Sequence, residues 1–425
     1  MQILINKKYF KFEFFFLLLL LQQVLLRYST GIVNHIISYT DEILALVLLL
    51  EMILNYRVVQ AKLSKIEAKM LLVYIAFAAL GLISSATNPV QSAFLIFSDM
   101  LVCMKVAIFY FYTRTVLNVR IDSTVLIGKL SRMVKPLVLL FGLLAIHDIA
   151  FTPFFKKADY RYFMYALQLC FGHPTLLAAF SITCAVIIMA GLSIKNKKND
   201  KCVIWAALTL AILTLRGKAI AATIAIVVMY VTLFVIKKYA KVIGILGGVV
   251  AALMAGWDQF AFYFGAAAQA RDDFIRAKLL RDSISLANQF FPIGTGYGSF
   301  GSNIAAEHYS PLYVAMGYSG LAGGSREENF ALSDSFWPII IAQFGWIGLL
   351  LFVYFLIGLV RKVFELYGIN RYLFWAGISA IVYEIIASIA ESAFFHPVAI
   401  PLFCVLGLII NSGEIEYEKH IKDNQ

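Results

Sequence analysis

Charge is scarce in this chain. Lys, Arg, Asp and Glu make up 14% of 425 residues, against about 25% in soluble domains. Hydrophobic residues reach 61%, with a mean hydropathy of +0.82. A soluble globule of this composition would lack the polar surface to cover its core, which excludes the soluble enzyme classes. Cysteine is sparse too. Cys103, Cys170, Cys184, Cys202 and Cys404 lie in or beside apolar segments at no metal-ligand spacing. They read as small core residues, not as disulfide partners or ligands. There is no D-x-D, no H-E-x-x-H and no Cys/His cluster, so neither a metal nor another cofactor is expected. Internal repeats are also lacking, and the two halves show no evident match.

Long apolar runs are abundant, such as "FEFFFLLLLLQQVLL" and "VTLFVIKK". They predict an all-α polytopic membrane protein with about twelve spans of bilayer length. The expected limits are 9–26, 42–57, 70–86, 92–113, 134–151, 168–193, 202–215, 219–236, 242–257, 336–360, 372–390 and 397–411. The first run has no small-residue cleavage site after it and reads as a span, not a removed signal peptide. The net charge of +11 is assigned to orienting loops and not to a nucleic-acid partner. The short loops "KNKKNDK", "KKYAK" and "RK" fall on one side, which the positive-inside rule makes cytoplasmic, together with both termini. Three regions follow: spans over 1–257, a long external loop over 258–335, and the last spans with a short tail over 336–425.

The long loop is the only sizeable segment outside the membrane, and such loops are usually functional. "ARDDFIRAKLLRDSISLANQF" spaces Phe274, Leu279, Ser283, Leu286 and Phe290 as a helix, expected to lie near the outer surface. "GTGYGSFGSN" follows, and within it Gly296, Gly298 and Gly301 match the G-x-G-x-x-G of dinucleotide sites. That fingerprint needs a preceding strand, a following helix and an acid about 20 residues on, in a βαβ unit. The preceding segment is helical in pattern and no βαβ unit follows, so the dinucleotide reading fails. Two readings remain open for Gly294 and Gly296: a sharp structural turn, or close backbone approach to a ligand.

Charges at membrane depth carry the remaining signal. From Lys201 to Arg216 a helix rises only ~22 Å, against ~30 Å of hydrocarbon. Arg216 and Lys218 in "LTLRGKAIAA" are therefore expected below the outer interface, at a re-entrant turn. They either snorkel or await an anion, and a guanidinium fork suits phosphate or pyrophosphate. On the loop helix, Arg271, Arg276 and Arg281 are either an ordinary solvated face or the second half of such a clamp. Asp334, Glu391 and His308 are candidate general bases, and the two carboxylates serve equally as helix caps or arginine partners. His396, before Pro397, reads as structural. Tyr297, Tyr309, Tyr313 and Trp337 offer rings for sugar stacking or for an interfacial belt.

The loop and the span after it resemble a family. Arg276, "FPIGTGYGSFGS" (291–302), "YSPLY" (309–313), "SDSFWP" (333–338) and "QFGWIGLLLF" (343–352) follow the order seen in bacterial surface-polysaccharide polymerases. These belong to the O-antigen ligase/polymerase superfamily. "LRGKA" (215–219) is similar to the family's arginine-bearing turn. The motif region covers about 90 residues, and topology covers the rest.

The resemblance implies a GT-C-like, metal-independent glycosyltransferase in the bacterial cytoplasmic (inner) membrane. Such enzymes join O-antigen, capsule or exopolysaccharide repeat units on undecaprenyl pyrophosphate at the outer face. Arg216 and Arg276 would hold the pyrophosphate, with Lys218, Arg281, Gly294, Gly296, Tyr309 and Tyr313 lining the substrate. Membrane lipids, a flippase and a chain-length regulator are the implied partners. Ligases of the superfamily carry a histidine where alignment on Gln343-Phe-Gly345 puts Asp334, which favours polymerase over ligase. A flippase or transporter for a lipid-linked saccharide is the alternative of another class. Transporters show repeated halves and broken midplane helices, which this sequence does not display.

Overall fold

Apolar runs of this length satisfy their backbone internally only as helices when water is absent. The computed structural model describes residues 2–151, 154–162, 164–195, 197–235 and 274–423. The chain is an all-α membrane protein. Among the described residues, eight helices are long and apolar enough to cross a bilayer.

The helices that position the site are α1 (Gln2–Tyr28), α2 (Gly31–Ser38), α3 (Thr40–Leu54), α4 (Tyr56–Lys62), α5 (Lys65–Thr87) and α6 (Ala93–Tyr112). Then come α7 (Ser123–Ala150), α8 (Pro174–Gly191), α9 (Lys198–Leu213) and α10 (Gly217–Tyr230). The described part of the long loop opens with α11 (Ile275–Gln289), and after the loop follow α12 (Phe336–Glu365), α13 (Arg371–Ala387) and α14 (Ile400–Asp423). A strap joining α7 to α8 holds a small antiparallel hairpin, in which Tyr160 faces Tyr165.

Three of the expected spans are shorter than a full crossing. α3 has 15 residues, α9 has 16 and α13 has 17. The expected span 242–257 and Arg271 lie outside the described residues. The reason for the short α3 is visible in its neighbour. α2 and α3 together run antiparallel to α1, broken at Tyr39. Asn34 Nδ2 donates to Leu26 O at 2.8 Å, and Gln22 Nε2 donates to Ile37 O at 2.9 Å and to Asp41 Oδ1 at 2.7 Å. Helical chain therefore begins at Gly31, before the expected position 42, although neither α2 nor α3 is among the eight helices long and apolar enough to cross a bilayer.

Two buried charge clusters tie the bundle together. Near the middle of α6, Lys105 pairs with Asp41 and, at 2.7 Å, with Glu42. At the end remote from the long loop, α6 continues into a π-helical turn, Thr113–Leu117. The extra residue of such a turn re-aims a side chain. Here it places Arg114 against Glu67 and, at 2.8 Å, Glu414. Glu67 also closes a capping box with Ser64 at the start of α5.

The Gly-rich segment seats the long loop on the bundle. Gly345 interrupts α12 with φ +62° and ψ −164°. A break there frees carbonyls that a continuous helix would use. Thr295 N–H donates to Ala342 O at 2.9 Å, and Gly296 N–H to Gln343 O at 2.8 Å. On the other side, Tyr297 N–H donates to Ser85 Oγ at 2.8 Å, and Gly298 N–H to the buried Asp99 carboxylate at 2.7 Å. The motif thus wraps a carboxylate of its own chain. A Cβ at Gly345 would lie 2.4 Å from Pro292 O. Gly345→Ala is expected to destabilise the protein by about 1–3 kcal/mol, read as a lower Tm in detergent. An unchanged Tm would show that the break is not needed.

The loop also has a core of its own. Ile275, Leu279, Leu286, Phe300, Tyr309, Tyr313 and Tyr318 bury one another above α12. α11 is amphipathic as its spacing predicts, and Trp346 of α12 donates its indole N–H to Asn288 at 2.9 Å.

Candidate functional site

The site gathers at the end of the bundle where the loop sits. α9 stops at Leu213, and Leu215 takes φ +51°. Arg216 then adopts extended backbone as the N-cap of α10. This tight corner is what "LTLRGKA" encodes: a short helix, a turn, and a cation at its apex. Arg216 is largely buried, and its Nη2 lies 3.4 Å from Asp159 Oδ2 on the strap. In the first turn of α10, Lys218 Nζ meets Glu391 Oε2 at 2.5 Å, just beyond the end of α13. Arg276, in the first turn of α11, meets Asp334 Oδ2 at 2.6 Å.

His173 belongs to the same neighbourhood. It caps α8, accepting Thr175 N–H on Nδ1 at 3.3 Å. Burial first, then Arg216 and Lys218, push its imidazole down to about 4, while Asp334 and Asp159 pull weakly the other way. The ring is therefore neutral at pH 7. With Nδ1 accepting, its proton sits on Nε2, so the free side of the ring is a donor. His396 repeats the device, accepting Val398 N–H on Nδ1 at 3.3 Å. That is the structural role expected for a histidine before Pro397.

Beside Arg216 lies a cavity of about 700 Å³, walled by Arg27, Lys156, Lys157, Asp159, His173 and Arg216 among others. Cations outnumber the single carboxylate in this wall. The arrangement is suited to multivalent anions, because guanidinium and ammonium groups converge at the rim of an apolar bundle.

The structure brings together Arg216, Lys218, Arg276, Asp334 and Glu391, five of the residues singled out in the sequence. Asp334 partners an arginine, one of the three roles left open for it, and Glu391 partners a lysine. The others lie apart. His308 is exposed at the end of a short helix, Asn303–Glu307. Arg281 is exposed on α11, near Tyr318. Gly294 and Gly296 are buried against α12 and α5, as parts of the loop's seat. Tyr309 and Tyr313 are 5% and 0% exposed. The Tyr309 hydroxyl donates to Gly324 O at 3.0 Å, and the Tyr313 hydroxyl accepts Gly301 N–H at 2.8 Å. Tyr297 packs edge-on against Phe344. The faces of these three rings are occupied by protein, so the expected sugar-stacking role does not fit them in this conformation.

Sequence reasoning missed Asp159, His173, Arg27 and the Lys156-Lys157 pair. The available signal was the repeated His-Pro at the start of a span, 173–174 and 396–397. Among the described residues, no group of three or more His, Cys, Asp or Glu is arranged to hold a metal ion. No family model and no curated protein matches the chain.

Proposed function

We propose that the protein is a polymerase that joins undecaprenyl-pyrophosphate-linked repeat units into a surface polysaccharide. On this reading it sits in the bacterial cytoplasmic membrane as a GT-C-like scaffold of about twelve spans. Both termini are cytoplasmic and the cation-rich end faces outward. The observation that carries the proposal is the convergence of Arg216, Lys218 and Arg276 at one end of the bundle, each within 3.4 Å of a carboxylate.

The chemistry needs little more. The donor sugar carries a pyrophosphate leaving group. The bond from its anomeric carbon to the phosphate oxygen breaks, and a bond to the acceptor hydroxyl oxygen forms. Charge builds on the departing pyrophosphate, where fixed cations are most effective. In the resting protein Asp334 neutralises Arg276. When pyrophosphate takes over the guanidinium, the carboxylate is released beside the reacting centre. It then accepts the acceptor hydroxyl's proton, as a general base must. His173, neutral with its proton on Nε2, serves as a hydrogen-bond donor and not as the base.

Reconstitution with a defined lipid-linked repeat unit tests the reading. A ladder of lengthening products on a gel is expected, and single units alone would refute it. Asp334→Asn is expected to slow chain growth by about 10²-fold or more. Full activity in that variant would move the base role to Glu391.

A further inference from the structure

The cavity beside Arg216 is larger than one clamp requires, at about 700 Å³. Arg27, on the last turn of α1, forms its far wall and donates from Nη1 to Leu169 O at 3.2 Å. Lys156 and Lys157 of the strap face the same space, with the Lys157 ammonium 4.5 Å from the Tyr165 ring centre. Arg276 and Asp334 do not line it.

Below this cavity an apolar crevice continues between α1 and α8. The two share Gln23, Phe171 and Leu176, so the crevice lies directly beside the cavity along α1 and α8. The crevice runs on past Leu19, Phe180 and Pro401. It is nearly closed, about 10 Å³, so a chain enters only by parting α1 from α8. The two helices differ in how firmly they are held: 28% of the α1 span is buried inside the protein, against 89% of the α8 span. α1 is the wall that can give.

A cationic chamber above a narrow apolar slot has the shape of a charged head on a single tail. We infer that this chamber and crevice form a second lipid site, which takes a polyprenyl pyrophosphate with its head among Arg27, Lys156, Lys157 and Arg216 and its tail between α1 and α8. Four cations against Asp159 match a multiply charged headgroup better than a phosphodiester with one charge. One slot admits one slender chain, which disfavours a two-tailed phospholipid. The site rests on the proposed reading for the identity of the lipid. It adds that two carriers lie on either side of Arg216, one toward Arg276 and one toward Arg27, as joining two lipid-linked units requires.

The test uses the purified full-length protein in nanodiscs with a photoreactive undecaprenyl pyrophosphate, and maps crosslinks by peptide. Crosslinks are expected on α1 and α8 at the crevice. They should fall at least tenfold in the Arg27→Glu/Lys157→Glu double variant, whose changes are at exposed positions, and in Leu176→Trp, which fills the slot. Arg276→Ala should keep them. Undiminished crosslinking in the charge-reversed protein would overturn the site. So would equal competition by the same concentration of phosphatidylglycerol, which would assign the crevice to bulk phospholipid. Chain formation is scored separately. Crevice crosslinks without polymer from the unaltered protein would sink the polymerase reading and leave this site standing. Polymer without crevice crosslinks would do the reverse.

Discussion

If the proposed polymerase reading holds, Arg216→Ala and Arg276→Ala are each expected to abolish long glycan chains while the protein still inserts and folds. The loss in rate is expected to be about 10²–10³-fold for each, the range seen when one donor to a developing negative charge is removed. The fold should survive because the carboxylate partner of each arginine is solvent-exposed, although Arg216 itself is only 14% exposed. Arg276 and Asp334 are 21% and 39% exposed, and the Asp159 partner of Arg216 is 64% exposed. Pairs in such settings contribute about 0–1 kcal/mol. A large effect on chemistry with a small effect on Tm is the signature of a substrate-facing cation. Chain length on a gel, with thermal unfolding alongside, checks both. Normal chains in the two variants would refute the clamp.

Lys105→Met has the opposite signature and the largest effect on stability. Lys105 and Asp41 are 1% and 0% exposed, and Glu42 completes the cluster at 2.7 Å. Removing the lysine strands two carboxylates beside Gln22 in the apolar bundle. Breaking a buried pair from one side costs about 3–5 kcal/mol. Replacing all partners together, as Lys105→Met with Asp41→Asn and Glu42→Gln, should recover most of that loss, because no uncompensated charge remains. Thermal unfolding in detergent is the measurement. Equal Tm values for the single variant and the unaltered protein would show that the cluster does not hold α1, α3 and α6 together.

These two arginines also show how much of the site was legible in the sequence. Arg216 stood out because the run before it is too short to cross a bilayer, and a short helix with a corner is what forms there. The helical spacing of α11 placed Arg276 correctly on that helix. Asp334 and Glu391 were legible as charges at the ends of spans. Their partners were not, because the Arg276–Asp334 contact joins residues 58 apart in the chain, and no local pattern encodes it.

The breaks were hidden for a related reason. "QFGWIGLLLF" reads as uninterrupted helix, since a glycine costs only about 1 kcal/mol there. Only the arriving loop, with its own donors, makes the break at Gly345 favourable. The start of α2 at Gly31 was masked by "TGIVNHIISYT", in which Asn34 bonds back to α1 while Ser38 and Thr40 bond to carbonyls of α2. The aromatic residues misled because stacking rings and core rings look alike in a sequence. Burial separates them, and burial is set by neighbours far along the chain.

The end of the bundle carrying Arg216, Arg276 and the long loop is proposed to face away from the cytosol. A cysteine-less protein carrying His308→Cys tests it in intact cells with a membrane-impermeant maleimide. His308 is exposed on the loop, whereas Cys202, restored alone, is exposed near the start of α9 at the other end. Labelling of the loop cysteine in intact cells, and of Cys202 only after permeabilisation, is the expected result. The reverse pattern would contradict it.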